Sequence, residues 1–323
     1  MNSAAALLLL TALGPKPRAI GYSLVAGRCH EQVAPGATEA HSTLAVGTTA
    51  RLSAVLRFSR VCGGHGNPLP CPATPLQVRA AGGLSVASVR GTEIQVEARG
   101  PGRGAIAVRA RKKQFKPLAV SAAVPAALFA RVSSLAIAFP ELRSLRIAEG
   151  GRTALWLYPV DDGRRPLCAG GRLRTSAPAL GFAGGSAWDL SGQQEVHAVG
   201  APGWSFLEVS LGKRRLSLPV EIVPAGAIQR LVLEPHRTGS GPIRIAVRAY
   251  DDAGEVLGSS VHLWLHGDGS LLRIGSFDQP LQELDTTDAE VAIDPAHPGA
   301  TMILSAQLPN GVTGRLDLEA PAR

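Results

Sequence analysis

Aromatic residues are scarce in this chain: 4% of 323 residues, with only two Met beside them. Charged residues are also modest at 18%, too few for a long coiled coil. No apolar run approaches the roughly 20 residues that a membrane-spanning helix needs. Ala4–Leu10 is far shorter, and Ala119–Ala130 is both short and interrupted by Pro125. Signatures of catalysis are missing as well. There is no G-x-S-x-G elbow, no H-E-x-x-H pair and no phosphate-cradling P-loop. These absences exclude a transmembrane anchor of ordinary kind and leave no ground for expecting an enzyme.

What is present is Gly, Pro and aliphatic residues. The hydrophobic fraction of 45% is enough to bury a core, and the length corresponds to two or three domains of roughly 100–200 residues. The 37 Gly and 24 Pro punctuate the chain every several residues, as tight turns between strands require. At the N-terminus, Ala4–Leu10 followed by Ala12-Leu13-Gly14 fits the hydrophobic region and small-x-small cleavage site of a secretory signal, although no Lys or Arg precedes it. The alternative is an apolar N-terminus without a targeting role. Export predicts a secreted, cell-surface or periplasmic protein.

One hairpin recurs three times. Gly104–Ala126, Trp204–Ala225 and Thr301–Ala322 each run from an apolar strand through a polar turn and an alternating strand to a closing Pro-Ala. Earlier strand-like segments recur too, at Arg51–Phe58, Thr153–Val160 and Ile243–Tyr250, each followed by turn residues. Asp161-Asp162-Gly163 and Asp251-Asp252 belong to those turns and lack the spacing of a calcium loop. The repeats divide the chain into a leader at 1–19 and units at 20–126, 127–225 and 226–323.

Alternation of period two makes each unit β. Leu52, Ala54, Leu56 and Phe58 face one way and Arg51, Ser53, Val55 and Arg57 the other. Ile94/Val96/Ala98, Leu216/Leu218/Val220/Ile222 and Ile243/Ile245/Val247/Ala249 repeat the pattern, with Ala246 among the outward residues of the last set. In Val261–His266 the same alternation places His262, Trp264 and His266 on one outward face, and at about 3.3 Å per residue the two histidines stand too far apart to share a metal ion. With so few aromatics, Trp156, Trp188, Trp204 and Trp264 are expected in the cores rather than on a sugar-stacking platform. The fold class is therefore all-β, three tandem sandwiches of about 100 residues in an elongated array. Pro125-Ala126 and Pro224-Ala225 join them with almost no spacer, which restricts hinge motion.

Leu44–Leu52 (LAVGTTARL), Ile147–Leu155 (IAEGGRTAL), Val160–Leu167 (VDDGRRPL), Thr175–Phe182 (TSAPALGF) and Gly203–Val209 (GWSFLEV) resemble the bacterial immunoglobulin-like domains of group 2. The likeness is best in the second unit and weakest in the third. It implies immunoglobulin-like sandwiches serving as extracellular or periplasmic spacer and adhesion modules without catalytic residues.

Four cysteines allow several readings. Cys62 and Cys71 flank a Gly- and Pro-rich loop and form the preferred disulfide in an exported chain. Free thiols are a second possibility, and a zinc site using Cys62, His65, Cys71 and the Cys29-His30 pair is a third. Cys168 has no partner in its own unit and is expected as a small buried apolar residue. No cofactor is implied.

The net charge of +8 conceals a gradient. Residues 1–126 carry 15 basic and 4 acidic side chains, residues 127–225 carry 11 and 8, and residues 226–323 carry 7 and 13. Arg109, Arg111, Lys112, Lys113 and Lys116 surround the last hairpin of the first unit, and Lys213, Arg214 and Arg215 sit at the matching tip of the second. These are the candidate anion contacts. Their plainer role is to solubilise the turns and to discourage edge-to-edge sheet pairing. No aromatics interleave with them as a dedicated nucleic-acid site would require. The expected function is a non-catalytic exported scaffold or adhesion protein, its partner unspecified. One alternative is a protein that binds anionic envelope polymers (lipopolysaccharide, acidic polysaccharide or extracellular DNA) through its basic first unit. Another is a periplasmic accessory subunit that joins another envelope protein.

Overall fold

The computed structural model describes residues 17–26, 29–58, 75–134, 137–169, 172–183, 187–189, 194–236, 242–267, 269–274 and 281–321. Among them regular structure is strand, apart from one 3-10 turn at Ala225–Ala227. Six sheets are formed, and three apolar clusters lie between them in pairs. The chain is thus a tandem series of β-sandwiches, as the alternation predicts.

In the first sandwich one sheet has the order Cys29–Val33, Pro17–Ala26, Thr49–Phe58, Glu93–Ala98, Leu84–Arg90. The other has the order Glu39–Ala45, Leu118–Ala123, Gly102–Ala110, Leu76–Ala81, with Lys113–Gln114 returning against Gly102–Ala110. The second sandwich repeats this plan. Glu141–Leu142, Ala127–Val132, Arg152–Val160, Gln194–Ala198 and Leu180–Phe182 face Leu145–Ala148, Arg214–Val223, Gly203–Leu211, Arg172–Ser176 and Ala187–Asp189. In both, an early strand crosses to the second sheet and pairs in parallel with the last strand, Glu39–Ala45 with Leu118–Ala123 and Leu145–Ala148 with Arg214–Val223. The crossing covers an edge that would otherwise offer unpaired backbone groups.

The third sandwich sets Arg230–His236, Ile243–Asp251, Glu290–Asp294 and Leu271–Arg273 against Glu283–Thr286, Val261–Gly267, Thr301–Gln307 and Thr313–Glu319, with Gly254–Val256 paired to Ile243–Asp251.

The predicted inward residues fill the cores. Leu52, Ile94, Val96, Ala98, Leu218, Val220 and Ile245 are all buried, as are Val261, Leu263 and Leu265, which leaves His262 and His266 exposed. Tyr22 is buried in the first core, where burial pushes its hydroxyl up to about 12 and keeps it neutral.

One outward assignment fails. Ala246 is fully buried, because its face of Ile243–Asp251 packs into the core of the second sandwich rather than toward water. Alternation within a strand records which residues share a face, not what covers that face.

The two junctions share one backbone device. At the first, Cys168 N–H donates to Thr43 O and Ala45 N–H to Cys168 O, both at 2.8 Å, which makes Leu44 and Cys168 a parallel bridge. At the second, Leu257 N–H donates to Arg146 O and Ala148 N–H to Leu257 O, both at 2.9 Å, and Ile147 bridges Leu257. Cys168 and Leu257 therefore hold the same place in successive sandwiches.

That bridge corrects the reading of Cys168. It is buried as expected, but it is bonded to Cys29 of the first sandwich, 139 residues earlier, and packs in that sandwich's core. No partner lies within its own unit; the junction brings Cys29 from the neighbouring sandwich. A disulfide sulfur is not a thiolate, so Cys29 is not available as a zinc ligand. Cys62, His65 and Cys71 lie outside the described residues.

Close backbone contact reinforces the first junction. Gly47 (φ +94°) and Gly212 (φ +59°) meet so closely that a Cβ on Gly47 would lie 2.9 Å from Gly212 Cα. At the matching place in the first sandwich, Arg111 takes the same left-handed backbone, at φ +54°.

Charge reinforces the second junction. Arg146 grips Asp251 through two parallel bonds, Nη1 to Oδ1 at 2.8 Å and Nη2 to Oδ2 at 2.6 Å, while its Nε donates to Glu221 at 2.6 Å. The side chains of Arg146 and Asp251 are each only 12% exposed. Asp251 Oδ1 also accepts the N–H groups of Ala253 and Gly254, so the expected turn role holds and a second role is added. The Arg146 guanidinium is the main reason the Asp251 carboxyl titrates below its ordinary range.

Further contacts lie between or beside the second and third sandwiches. The Arg248 guanidinium lies over the Phe139 ring at 5.1 Å, Ser134 bonds Glu290, and Asn310 donates to the carbonyls of Ala225 and Ile228 at 3.2 and 2.7 Å.

Candidate binding surface

The basic residues singled out by the sequence are solvent-facing. Arg109, Lys112, Lys113 and Lys116 are exposed and Arg111 half-buried at the end of the Gly102–Ala110 hairpin. Lys113 Nζ donates to Arg18 O at 2.6 Å and lies 5.5 Å from the Phe115 ring centre. The hairpin is thereby tied to the first strand without any charge being neutralised. Lys213, Arg214 and Arg215 are exposed at the matching turn of the second sandwich.

The structure does not bring these two groups together. Gly102 pairs with Ala122 at the junction end, so the first tip stands at the opposite end of the strand, whereas Gly212 of the second tip touches Gly47 at the junction. Nine residues of strand at about 3.3 Å each separate them by roughly 30 Å.

Ion pairing sharpens the charge gradient. Among the described residues of the first sandwich, ion pairs join Arg99 to Glu97 and Arg103 to Glu39. Arg109, Lys112, Lys113, Lys116, Lys213, Arg214 and Arg215 form no ion pair with another described residue. In the third sandwich, by contrast, Arg244, Arg248, Arg273 and Arg315 each meet a carboxylate. Unneutralised positive charge is concentrated in the first module and at the second module's tip.

The outer face of the adjoining sheet holds residues the sequence reading misplaced. Trp204 is 67% exposed and Phe206 56% exposed, not core residues. Leu207, Val209 and Leu211 of the same strand point inward and are buried, so Trp204, Phe206, Glu208 and Ser210 share the outward face. A signal for this existed. Continuing the alternation of Leu207 and Val209 back along Gly203–Val209 puts both rings on the face of Glu208, a local pattern that outweighs the general scarcity of aromatics. Trp156 and Trp264 are half-buried, and Trp264 stacks with His262 at 5.4 Å.

No cluster of three or more His, Cys, Asp or Glu suited to a metal occurs among the described residues. No helix among them is long and apolar enough to cross a membrane.

No family model matches the chain, and no curated protein matches it. Solved structures similar to it include domains 4–9 of the surface layer protein SbsC, at 15% identity over 94% of this chain and 47% of that one, with a TM-score of 0.31. The Escherichia coli adhesin FdeC is similar at 11% identity over 95% of this chain and 99% of that one, with a TM-score of 0.25. The Yersinia pseudotuberculosis adhesin InvE is similar at 16% identity over 54% and 56% of the two chains, with a TM-score of 0.24. The chain spans about half the length of the SbsC and InvE structures.

Proposed function

We propose that this protein is a non-catalytic, exported scaffold or adhesion component in which three immunoglobulin-like modules, 20–126, 127–225 and 226–323, are held at fixed spacing. The observation that carries this reading is the pair of reinforced junctions. One backbone bridge is used twice, locked covalently by Cys29–Cys168 at the first junction and ionically by Arg146–Asp251 at the second. A chain meant to hinge between modules gains nothing from such fastening, whereas one that presents an end at a distance does. The resemblance to group 2 bacterial immunoglobulin-like domains agrees with this role, and a disulfide suits an oxidising compartment.

Fractionation of the native host, combined with thiol titration under denaturing and non-reducing conditions, tests export. The expected result is protein outside the cytoplasm with no free thiol at Cys29 or Cys168. Recovery in the cytoplasm with both thiols free overturns the proposal.

A second reading is favoured by the unpaired cations of the first module. There the protein contacts an anionic envelope polymer, guided by a field of one sign. Retention on immobilised heparin is expected to fall steeply with salt and to be lost when Lys112, Lys113, Lys116 and Arg109 are changed to Glu. Unchanged retention of that variant defeats this reading.

A further inference from the structure

We infer that the outer face of the second module's Gly203–Leu211/Arg214–Val223 hairpin is a binding platform for an acidic polysaccharide, one in which uncharged and acidic sugars alternate. This rests on the second reading above, an anionic polymer as partner, and gives it a site on a different module.

The face follows from register. Trp204 stands opposite Glu221, Phe206 opposite Pro219, Glu208 opposite Ser217 and Ser210 opposite Arg215. The alternate residues, Leu207, Val209, Leu216, Leu218 and Val220, are buried, so these four pairs all point outward. Trp204 and Phe206 are two residues apart, about 7 Å along the strand, with Pro219 beside the second ring. Two large rings on a pleated surface make a flat, rigid apolar floor that loses little entropy on binding. Apolar faces of pyranose rings stack on such a floor.

Area selects among occupants. At roughly 200–250 Å² per ring, the exposed parts of Trp204 and Phe206 amount to about 300 Å². A stable protein interface needs about 800 Å² from each partner. The floor is too small to hold a second copy of the chain and is matched to a ligand a few sugars long.

Charge selects further. At one end Glu221 is held at 2.6 Å by Arg146, a guanidinium it shares with Asp251, so that end keeps a net negative charge and suits an uncharged sugar. At the other end Arg215, Arg214 and Lys213 are exposed and without an ion pair among the described residues, with Arg215 about 13 Å beyond Phe206. Between floor and tip lies Glu208, exposed and without an ion pair among the described residues, opposite the hydroxyl of Ser217. A carboxylate there repels an anion but accepts hydrogen bonds from sugar hydroxyls. An uncharged sugar at Glu208 and an acidic one at Arg215 satisfy both positions. A single-stranded nucleic acid, with a phosphate on every unit, sets a negative charge against Glu208 and is disfavoured.

The probe is a hyaluronan oligosaccharide, in which N-acetylglucosamine alternates with glucuronate, titrated into the full chain by calorimetry. Trp204→Ala is expected to weaken binding about 30-fold, Phe206→Ala to weaken it measurably, and Trp204→Phe to restore most of the affinity. Both rings are exposed, so these variants keep the fold, as an unchanged circular dichroism spectrum will show. Heparin retention through the first module is expected to be the same in Trp204→Ala as in the parent, which separates failure of this site from failure of the general anionic-polymer reading. Hyaluronan binding that survives Trp204→Ala and Phe206→Ala together, no binding by the parent, tighter binding of oligo-dT than of hyaluronan, or self-association abolished by Trp204→Ala would each overturn the inference.

Discussion

Cys29→Ser or Cys168→Ser will destabilise the first two modules by about 2–5 kcal/mol and leave the third unchanged. The bond closes a loop of 139 residues, for which restriction of the unfolded chain contributes on the order of 5 kcal/mol before any native-state strain is subtracted. Its position raises the stakes. Cys29 opens the edge strand Cys29–Val33, and Cys168 is buried in the first core while its backbone bridges Thr43 and Ala45. Losing the bond therefore frees both an edge and a junction.

Urea unfolding monitored by hydrogen exchange distinguishes the modules. Protection in Leu44, Ala45 and Leu24 should fall, and protection in Leu263 and Leu304 should not. The double variant Cys29→Ser/Cys168→Ser should be no less stable than either single variant, because one bond is removed in every case. Variants that unfold at the midpoint of the oxidised parent would show that Cys29 and Cys168 are not bonded to each other.

Arg146→Met is expected to cost about 3 kcal/mol at neutral pH, more than Asp251→Asn. Removing one partner of a well-buried ion pair leaves the other charge uncompensated, at a typical cost of 3–5 kcal/mol. Arg146 serves two carboxylates, so its loss leaves Glu221 and Asp251 facing one another without a cation. Asp251→Asn leaves Arg146 bonded to Glu221, and the amide oxygen still accepts from Ala253 and Gly254.

The pH dependence has a definite sign. The folded-state pKa of Asp251 is depressed, so its contribution is present above the unfolded value of about 3.9 and is lost as pH falls below that toward the folded value. Acid titration from pH 5 to 2 should thus loosen the second junction of the parent, and this component should be missing in Arg146→Met. Small-angle scattering reads the junction, and thermal unfolding reads the stability. Equal stability of parent and Arg146→Met at pH 7 would remove the ion pair from any structural role.

Local chemistry made much of the architecture legible. Leu52/Ala54, Ile94/Val96/Ala98 and Leu216/Leu218/Val220 declare their buried faces through period-two spacing alone, and Asp161 and Asp251 mark turns because a short carboxylate accepts nearby backbone N–H groups. The repeated hairpins declare the number of sandwiches because each copy must bury its own inward face. The basic tips were visible as composition, and their exposure follows from sitting in turns.

The junctions and the binding face were decided elsewhere. Ala246 looks outward in its strand and is buried only because a neighbouring module covers it. Cys29 and Cys168 have no local reason to pair, nor do Arg146 and Asp251, which are 105 residues apart. Trp204 is open to solvent because no described residue packs over that stretch of sheet. From its sequence alone this protein was committed to strands, faces and repeats, since steric alternation along a strand acts between neighbours. Which face meets another module, which sulfurs meet and which rings stay bare emerged only when the sandwiches were set against one another, because those outcomes depend on contacts between segments that the chain's local order leaves independent.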